Sequence, residues 1–377
     1  MTGQAQRIMS PVWRPINLMR MALWFVHLLL SHAGFYREPR SAERTVGPLP
    51  RGREEAEPFS AIVTGASSGL GLAIATSLAR RGHRVILVCR TERSASAALA
   101  AVAKRAAPTA RLETQACDLS DPLAVLRLCE RIRRAEKRSK SSRVRFPQRH
   151  LVCNAGAYCG RLAYAAAPNG LELEMTFASN FFGHYVLRRA LEGVVGWDSV
   201  VHTTSFSHRA VSGRELRAWL RGAIRESGGP NLSPEPRSWS PAMAYACSKM
   251  ASILARRDVE GPRCRQICLD PGAVDTEITR EWPWALRCVY TLVMRALGLF
   301  QDPNAVAESL VRELEGRQGG LDENYIFGAA GERLRPSLLA FREDLERDLC
   351  MECDRLYDKC RDEFQQRREG AKGWDDF

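Results

Sequence analysis

The sequence predicts an α/β fold: a single doubly wound parallel sheet with helices on both faces. Three observations predict it. Phe59 to Thr64 and Arg84 to Cys89 are short apolar runs, the pattern of strands buried on both faces. Between them lie a glycine-rich turn and a stretch from Leu70 to Arg81 with helical periodicity. Val200 to Thr204 is a third buried run, and it ends in hydroxyl residues, where the ligand crevice of a parallel sheet lies.

With 377 residues, the chain has room for one large α/β domain and appendages. Its composition, 45% hydrophobic, supports a sizeable core and excludes wholesale disorder. The twelve cysteines are scattered and do not form the framework of a small disulfide-stapled domain. There is no internal repeat and no long low-complexity tract. The net charge of +12 is partly local, since residues 131–150 hold nine Lys/Arg and one Glu. A solvated helix end and loop accounts for this run better than a surface for anionic lipid, and no aromatic interleaving points to nucleic acid.

We divide the chain into residues 1–57, 58–340 and 341–377. The first part holds the apolar run Met21 to Tyr36, flanked by Arg7, Arg14, Arg20, Arg37 and Arg40. A spanning helix wants about 20 apolar residues. This run is therefore marginal, and it is expected to be an N-terminal apolar helix that spans or lies in a membrane interface. A cleaved signal peptide at Ser31-His32-Ala33 and a buried helix are the alternatives. The proline-rich linker that follows weakens the last. The final part is expected to be a C-terminal helical extension. Cys350, Cys353 and Cys360 fall on one helix face there, a buried stripe rather than a zinc site.

Thr64-Gly65-Ala66-Ser67-Ser68-Gly69-Leu70-Gly71 is the glycine turn. Its glycines let the backbone turn tightly and approach a pyrophosphate, which the helix amino terminus favours through free N–H groups and its dipole. Strand, glycine turn, helix and second strand together make a Rossmann-type dinucleotide site. An NAD-preferring site places Asp or Glu at the end of the second strand. Here Cys89-Arg90 stands there, and a guanidinium suits a 2′-phosphate, so NADP(H) is preferred and NAD(H) stays possible.

From these motifs onward, over about residues 58 to 340, the chain resembles the short-chain dehydrogenase/reductase family. "CDLSD" supplies Asp118 and Leu119 at the place where the resemblance implies adenine contacts. "LVCNAG" supplies Asn154, Ala155 and Gly156, and "LDPGAVDT" supplies Pro271, Gly272, Val274 and Thr276 along the nicotinamide end. The resemblance implies that Ser205 bonds the substrate oxygen, with Ser207 as its near neighbour. It makes Asn180, in a predicted helix broken at Ser179-Asn180 and followed by Gly183-His184, the holder of a water that reaches the lysine.

"AYACSKM" then places Tyr245 and Lys249 one helical turn apart, on one face. A free phenol has a pKa near 10, and a nearby ammonium would lower it. Tyr245 is thus the expected proton donor or base, and Lys249 its tuning cation and a partner of the nicotinamide ribose.

"SWSPAMAYACSKMA", "DENYIF" and "CDRLYDKC" resemble the retinol-dehydrogenase-like branch, with the X-linked dehydrogenase/reductase type as the closest pattern. "LVCNAGAY" is also similar to WW-domain oxidoreductases and light-dependent protochlorophyllide reductases. This implies a lipophilic alcohol, aldehyde or ketone as substrate: a retinoid, steroid or polyprenoid. It also implies a membrane-surface partner, at the endoplasmic reticulum or a lipid droplet, and a homodimer stays open. A non-catalytic scaffold and a light-driven pigment reductase are the alternatives. Cys153-Asn154 for the usual Asn-Asn, "HTTS" before Ser205, and a long polar stretch from Arg209 to Trp239 depart from the pattern. Trp282 to Phe300 is expected to be a substrate lid that touches membrane, with core packing as the alternative.

Overall fold

A computed structural model describes residues 58–139, 148–192, 196–226, 239–256, 264–274, 284–296, 298–316, 325–328 and 331–370. Met21 to Tyr36 lies outside them. Among the described residues, no helix is long and apolar enough to cross a membrane.

The first half alternates strictly. β1 (Ser60–Thr64), α1 (Gly69–Arg80), β2 (Arg84–Cys89), α2 (Glu92–Ala103), β3 (Arg111–Ala116), α3 (Pro122–Ser139) and β4 (Arg149–Cys153) follow one another. β5 (Tyr164–Ala167) and β6 (Leu171–Glu174) then form a hairpin, with Asn169 and Gly170 at positive φ in its turn. The helix predicted around Ser179-Asn180, read from the sequence as starting at Asn169, is therefore shorter than expected. Helix begins only at Met175, passes through a π-helical turn at Ala178–Phe182, and continues as α4 (Gly183–Leu191). The predicted polar break at Ser179-Asn180 is that π turn, a form of helix that often marks functional sites.

β7 (Ser199–Thr203) leads through a 3₁₀ turn, Phe206–Ala210, to α5 (Gly213–Ala223) and β8 (Ile224–Glu226). α6 (Pro241–Leu254), β9 (Arg265–Asp270), β10 (Ala273–Val274), α7 (Trp284–Ala296), β11 (Phe300–Gln301) and α8 (Pro303–Glu315) follow. β12 (Tyr325–Phe327), β13 (Glu332–Arg333) and α9 (Glu343–Gly370) complete the chain.

The main sheet has the order β3-β2-β1-β4-β7-β9-β12, all parallel, with β13 antiparallel at the edge. Neighbours run outward in both directions from β1 and β4, so the sheet is doubly wound and its switch point lies between those two strands. Alternate residues face opposite layers. Ala61, Val63, Val85 and Leu87 meet α1, α2 and α8 on one face. Ile62, Ile86, Leu151 and Val200 meet α3, α4, α6 and α9 on the other. The apolar runs are continuous in the sequence because both faces are covered.

α9 belongs to this second layer. Its Leu345, Leu349, Cys353, Leu356 and Cys360 are buried in the same core as α6, and Cys350 is buried too. The described parts of the basic run are the end of α3 and the start of β4. In α3, Arg131 bonds Gln115 and the Ala116 carbonyl, Arg133 bonds the Ala190 carbonyl, and Glu136 accepts from the buried Arg84. Arg131 thus ties α3 to the carboxyl end of β3, and Glu136 ties it to Arg84 and Arg149 at the starts of β2 and β4. Residues 140–147 lie outside the described ones.

Candidate active site

The site grows from the carboxyl ends of β1, β4, β7 and β9. Thr64 ends β1 with its hydroxyl fully buried. Thr64 Oγ1 accepts from the amides of Asn154 at 2.9 Å and Ala155 at 3.0 Å. It also lies 2.8 Å from His184 Nε2. His184 Nδ1 is 3.1 Å from the Asn180 carbonyl, which can only accept. Nδ1 therefore carries the proton, and Nε2 accepts from Thr64. One threonine and one histidine thus tie β1, β4 and the π turn together.

The glycine turn lies against this junction. Gly65 has φ +65°, and a Cβ there would stand 2.8 Å from Ala155 Cα. A Cβ at Gly71 would meet the Gly65 carbonyl at 2.3 Å and Asn154 Nδ2 at 2.4 Å. Asn154 Nδ2 in turn donates to the Thr64 carbonyl at 3.0 Å. The turn is therefore closed by backbone that only glycine admits. Ser67 and Ser68 are exposed, Leu70 is buried in the core, and Gly69 has φ +54°.

Ser68 is the N-cap of α1 but makes no side-chain capping bond, whereas Thr91, Ser212 and Ser240 cap their own helices. The first-turn amides of α1 are left for another acceptor, an arrangement that fits a pyrophosphate. The Ala66 amide donates to the Val88 carbonyl at 3.3 Å, which brings the turn beside the end of β2. Arg90 follows there, exposed and outside any ion pair among the described residues. Asp118, also exposed, accepts from the Ser120 amide and hydroxyl, and Leu119 is buried. The Leu119 carbonyl approaches Gly183 so closely that a Cβ there would stand 2.2 Å from it, which explains the glycine before His184.

Asn180 extends its amide to the loop after β4. Oδ1 accepts from the Ala157 amide and Nδ2 donates to the Ala157 carbonyl, both at 2.8 Å. Ser248 Oγ is 3.4 Å from the same Nδ2. The expected role was to hold a water. The observed bonds pin the loop that carries Gly156, itself exposed with Lys249 Nζ 3.4 Å from the place of a Cβ.

α6 starts cleanly, with Ser240 as cap and Pro241 in the first turn, and it carries Tyr245 and Lys249 into the site. Lys249 Nζ donates to the Thr203 carbonyl at 2.8 Å and lies 5.5 Å from the Tyr245 ring centroid. Burial lowers this ammonium to about 8, partly offset by the Asp270 carboxylate. Ser205 caps the 3₁₀ turn, its side chain accepting from the Ser207 amide, and is half-buried and near enough to Tyr245 to act on its phenol. Ser207 lies deeper, buried in the turn. The ring of Tyr158 stands 6.0 Å from that of Tyr245.

One expectation is corrected here. Burial pushes the Tyr245 phenol well above its ordinary range, Asp270 adds to this, and Ser205 only partly opposes it. Lys249 is not among the groups that move this phenol; its ammonium donates to the Thr203 carbonyl instead.

Pro271 and Gly272 follow β9, and Gly272 has φ +70°. Val274 lies in β10, whereas Thr276 falls outside the described residues. Of the predicted lid, α7 is described. It buries Tyr290 and Met294 yet leaves Trp284 and Leu292 more than two-thirds exposed, at 73% and 71%. The helix thus packs on one face and presents a bare apolar stripe on the other.

The reading of the sequence missed Asp270, His208 and Tyr325. Tyr325 donates to Asp270 Oδ2 at 2.8 Å, and His208 bonds the Ser205 carbonyl at 2.7 Å. Only the acidic residue before the Pro-Gly pair was visible in advance.

Comparisons with known proteins bear on the fold and the family. The family model described as short chain dehydrogenase matches residues 60–206. The WW domain-containing oxidoreductase of Homo sapiens is 29% identical over 305 residues, 78% of this chain and 67% of that protein. Its Drosophila melanogaster counterpart is 28% identical over 242 residues, 62% of this chain and 53% of that one. The chain therefore spans about half to two thirds of these relatives' length. Retinol dehydrogenase 12 of Mus musculus is 28% identical over 227 residues, 58% of this chain and 63% of that protein. The crystal structure of an uncharacterized Mycobacterium paratuberculosis protein shares the fold, with a TM-score of 0.54 and 21% identity, covering 80% of this chain and 95% of that one.

Proposed function

We propose that this chain is a short-chain dehydrogenase/reductase of the retinol-dehydrogenase-like branch and an NADP(H)-dependent oxidoreductase. It interconverts a lipophilic alcohol with its aldehyde or ketone, of the retinoid, steroid or polyprenoid class. The observation that carries this reading is the meeting of Ser205, Tyr245 and Lys249 at the strand ends, beside an uncapped α1 and a turn closed by Gly65 and Gly71.

When bound, the nicotinamide supplies or receives the hydride. The residues do the rest. Tyr245, a protonated phenol in this environment, gives its proton to the carbonyl oxygen as charge develops there. Ser205 donates a hydrogen bond to the same oxygen. Lys249 places positive charge beside the tyrosinate that results, and Asn180 holds the loop after β4 in place. The turn Thr64 to Gly71, with Asn154, Ala155, Gly156, Pro271, Gly272 and Val274, lines the path of the dinucleotide, and Asp118 and Leu119 stand at its adenine end. The catalytic unit in this proposal is residues 58–340, with 341–377 as a helical tail.

The test is NADPH oxidation against a panel of retinal, steroid ketones and polyprenals, followed by a lipid-extract screen. Consumption above that of the Tyr245→Phe protein is expected. A rate equal to that control with every carbonyl would favour a non-catalytic scaffold.

Arg90 supports the NADP(H) preference. Arg90→Asp should lower the ratio of kcat/KM for NADPH over NADH by about ten-fold or more, the worth of one charge-assisted bond. An unchanged ratio would remove Arg90 from the 2′-phosphate site.

We place the protein at the endoplasmic reticulum membrane, or on lipid droplets if the Met21 to Tyr36 segment is monotopic. Deleting residues 1–50 should release a folded, NADPH-binding chain into the soluble fraction. Attachment that survives the deletion would move the membrane contact to the bare stripe of α7. Insolubility with loss of NADPH binding would mean that the segment packs into the fold.

A further inference from the structure

The reaction scheme above gives His184 no part, although the residue is buried beside the glycine turn. Gly183 brings it there. The Leu119 carbonyl lies where a side chain at 183 would stand, so the first turn of α4 packs against the loop after β3. The imidazole then spans two elements. Nδ1 is 3.1 Å from the Asn180 carbonyl, and Nε2 is 2.8 Å from Thr64 Oγ1.

The protons on this contact follow from the number of lone pairs. The Asn180 carbonyl can only accept, so Nδ1 carries the ring proton. Burial keeps the ring neutral, lowered to about 4. Nε2 therefore offers a lone pair. Thr64 Oγ1 accepts from the Asn154 amide at 2.9 Å and the Ala155 amide at 3.0 Å, which occupies both of its lone pairs. Its single proton has two acceptors in reach: His184 Nε2 at 2.8 Å and the Val152 carbonyl at 3.2 Å. The imidazole is the nearer. A proton on Nε2 instead would set the Nδ1 lone pair against the Asn180 carbonyl and give Oγ1 one donor too many.

The loop that Thr64 holds is held from the other side by Asn180, whose amide bonds both backbone groups of Ala157 at 2.8 Å. Asn154 also donates to the Thr64 carbonyl at 3.0 Å and stands against Gly71 of the glycine turn. His184 is bonded to the side chain of one of these holders and to the backbone of the other.

We propose that His184 is a positioning residue: its Nε2 takes the Thr64 hydroxyl proton, which turns both lone pairs of that oxygen to the Asn154 and Ala155 amides, and so sets the loop on which the dinucleotide rests. The bearing on the dinucleotide rests on the oxidoreductase reading, but the bond itself does not. Hydrogen bonds that run in one direction polarise and strengthen one another. Without the imidazole the hydroxyl turns to Val152, and the two amides lose alignment rather than their acceptor. The effect is therefore graded and does not require collapse of the fold.

Two measurements test this. The full chain has seven histidines, so ¹⁵N-histidine labelling yields seven rings, and His184→Gln identifies that of His184. The expected ring is protonated at Nδ1. Its Nε2 signal should move in Thr64→Val and return in Thr64→Ser, with Nδ1 unchanged in both. An Nε2-protonated His184 in the unsubstituted protein would overturn the proposal without any Thr64 variant having to fold. So would an Nε2 signal that Thr64→Val leaves in place.

NADPH titration reads the consequence. His184→Asn can still reach the Asn180 carbonyl but not Thr64, and it should weaken NADPH by about ten-fold, the worth of one hydrogen bond. His184→Gln, whose carbonyl reaches the place of Nε2, should restore most of that loss. In a Thr64→Val background, His184→Asn should add at most about two-fold, because it acts through that hydroxyl. Equal losses in the Asn and Gln variants, or an undiminished loss on top of Thr64→Val, would overturn the proposal. A wild-type protein that binds no NADPH would sink the dinucleotide reading instead, and the ¹⁵N signals would still decide for or against the bond of His184 to Thr64.

Discussion

Replacing Tyr245 with phenylalanine should lower NADPH-dependent carbonyl reduction by about a thousand-fold, within the span usual for loss of a positioned general acid. The change removes one hydroxyl and little else. The ring keeps its place near Tyr158, and Lys249 keeps its bond to Thr203. The glycine turn and α1 are untouched, so NADPH affinity should change less than two-fold. Single-turnover NADPH oxidation and nucleotide binding, measured on the same preparation, separate the two effects. Turnover within a few-fold of wild type would remove Tyr245 from the chemistry.

The environment also sets a direction. A phenol raised by burial and by Asp270 holds its proton at neutral pH, which suits donation to a carbonyl better than abstraction from an alcohol. Lys249 loses its charge as the pH rises through about 8. Reduction should therefore decline above that pH, where both the positive partner of the nascent tyrosinate and the supply of protons fall away.

Acidification should unfold the protein steeply between pH 6.5 and about 4. Four buried histidines stay neutral in the fold. Burial lowers His150, His202 and His208 to about 3 and His184 to about 4. His184 and His208 are committed through Nδ1 protons to the Asn180 and Ser205 carbonyls, and His202 bonds Gln266. In the unfolded chain each would take up a proton near pH 6.5.

The sign follows from linkage. Below 6.5 the unfolded state binds more protons than the native state, so stability is present above that pH and is lost as pH falls towards 3 to 4. Each such group contributes a slope of about 1.4 kcal/mol per pH unit, so four approach about 5 kcal/mol per unit at most. A whole domain holds about 5–15 kcal/mol, so this term alone can unfold it within a few units. Glu174, buried and raised by that burial, acts in the opposite sense, but it is a single group. Thermal unfolding at pH 7, 6, 5 and 4.5 is the measurement. A midpoint that moves only a degree or two across that range would mean that the native histidines protonate freely.

Much of this was legible in advance, for a physical reason. Buried parallel strands must be apolar on both faces, so Ser60–Thr64, Arg84–Cys89 and Ser199–Thr203 are readable as continuous runs, and each strand end came within a residue. A backbone that folds on itself at Gly65 and Gly71 excludes side chains, so those glycines advertise the turn. The i, i+4 spacing of Tyr245 and Lys249 is a local property of α6 and needs no partner to be seen. Other elements escaped because their cause is not local. Leu171–Glu174 alternates leucine and glutamate at the period of a strand, but at four residues the signal is short beside the helical stretch that follows, and pairing with Tyr164–Ala167 and Ile224–Glu226 decides it.

The sequence by itself determined the glycine turn, the order of the strands' apolar runs, and the residue types that meet at their ends, because each depends on near neighbours or on burial of a whole segment. Tertiary structure alone decided how those residues behave. It brought the end of β9 beside Thr203 through the pairing of β7 with β9, and it set His208 between Ser205 and Ser337, the latter 129 positions away along the chain. It also reversed the expected ionisation of Tyr245. Spacing along a helix fixes how near an ammonium can come, but the depth of burial and the acceptor that the ammonium chooses, here the Thr203 carbonyl, fix which proton is held.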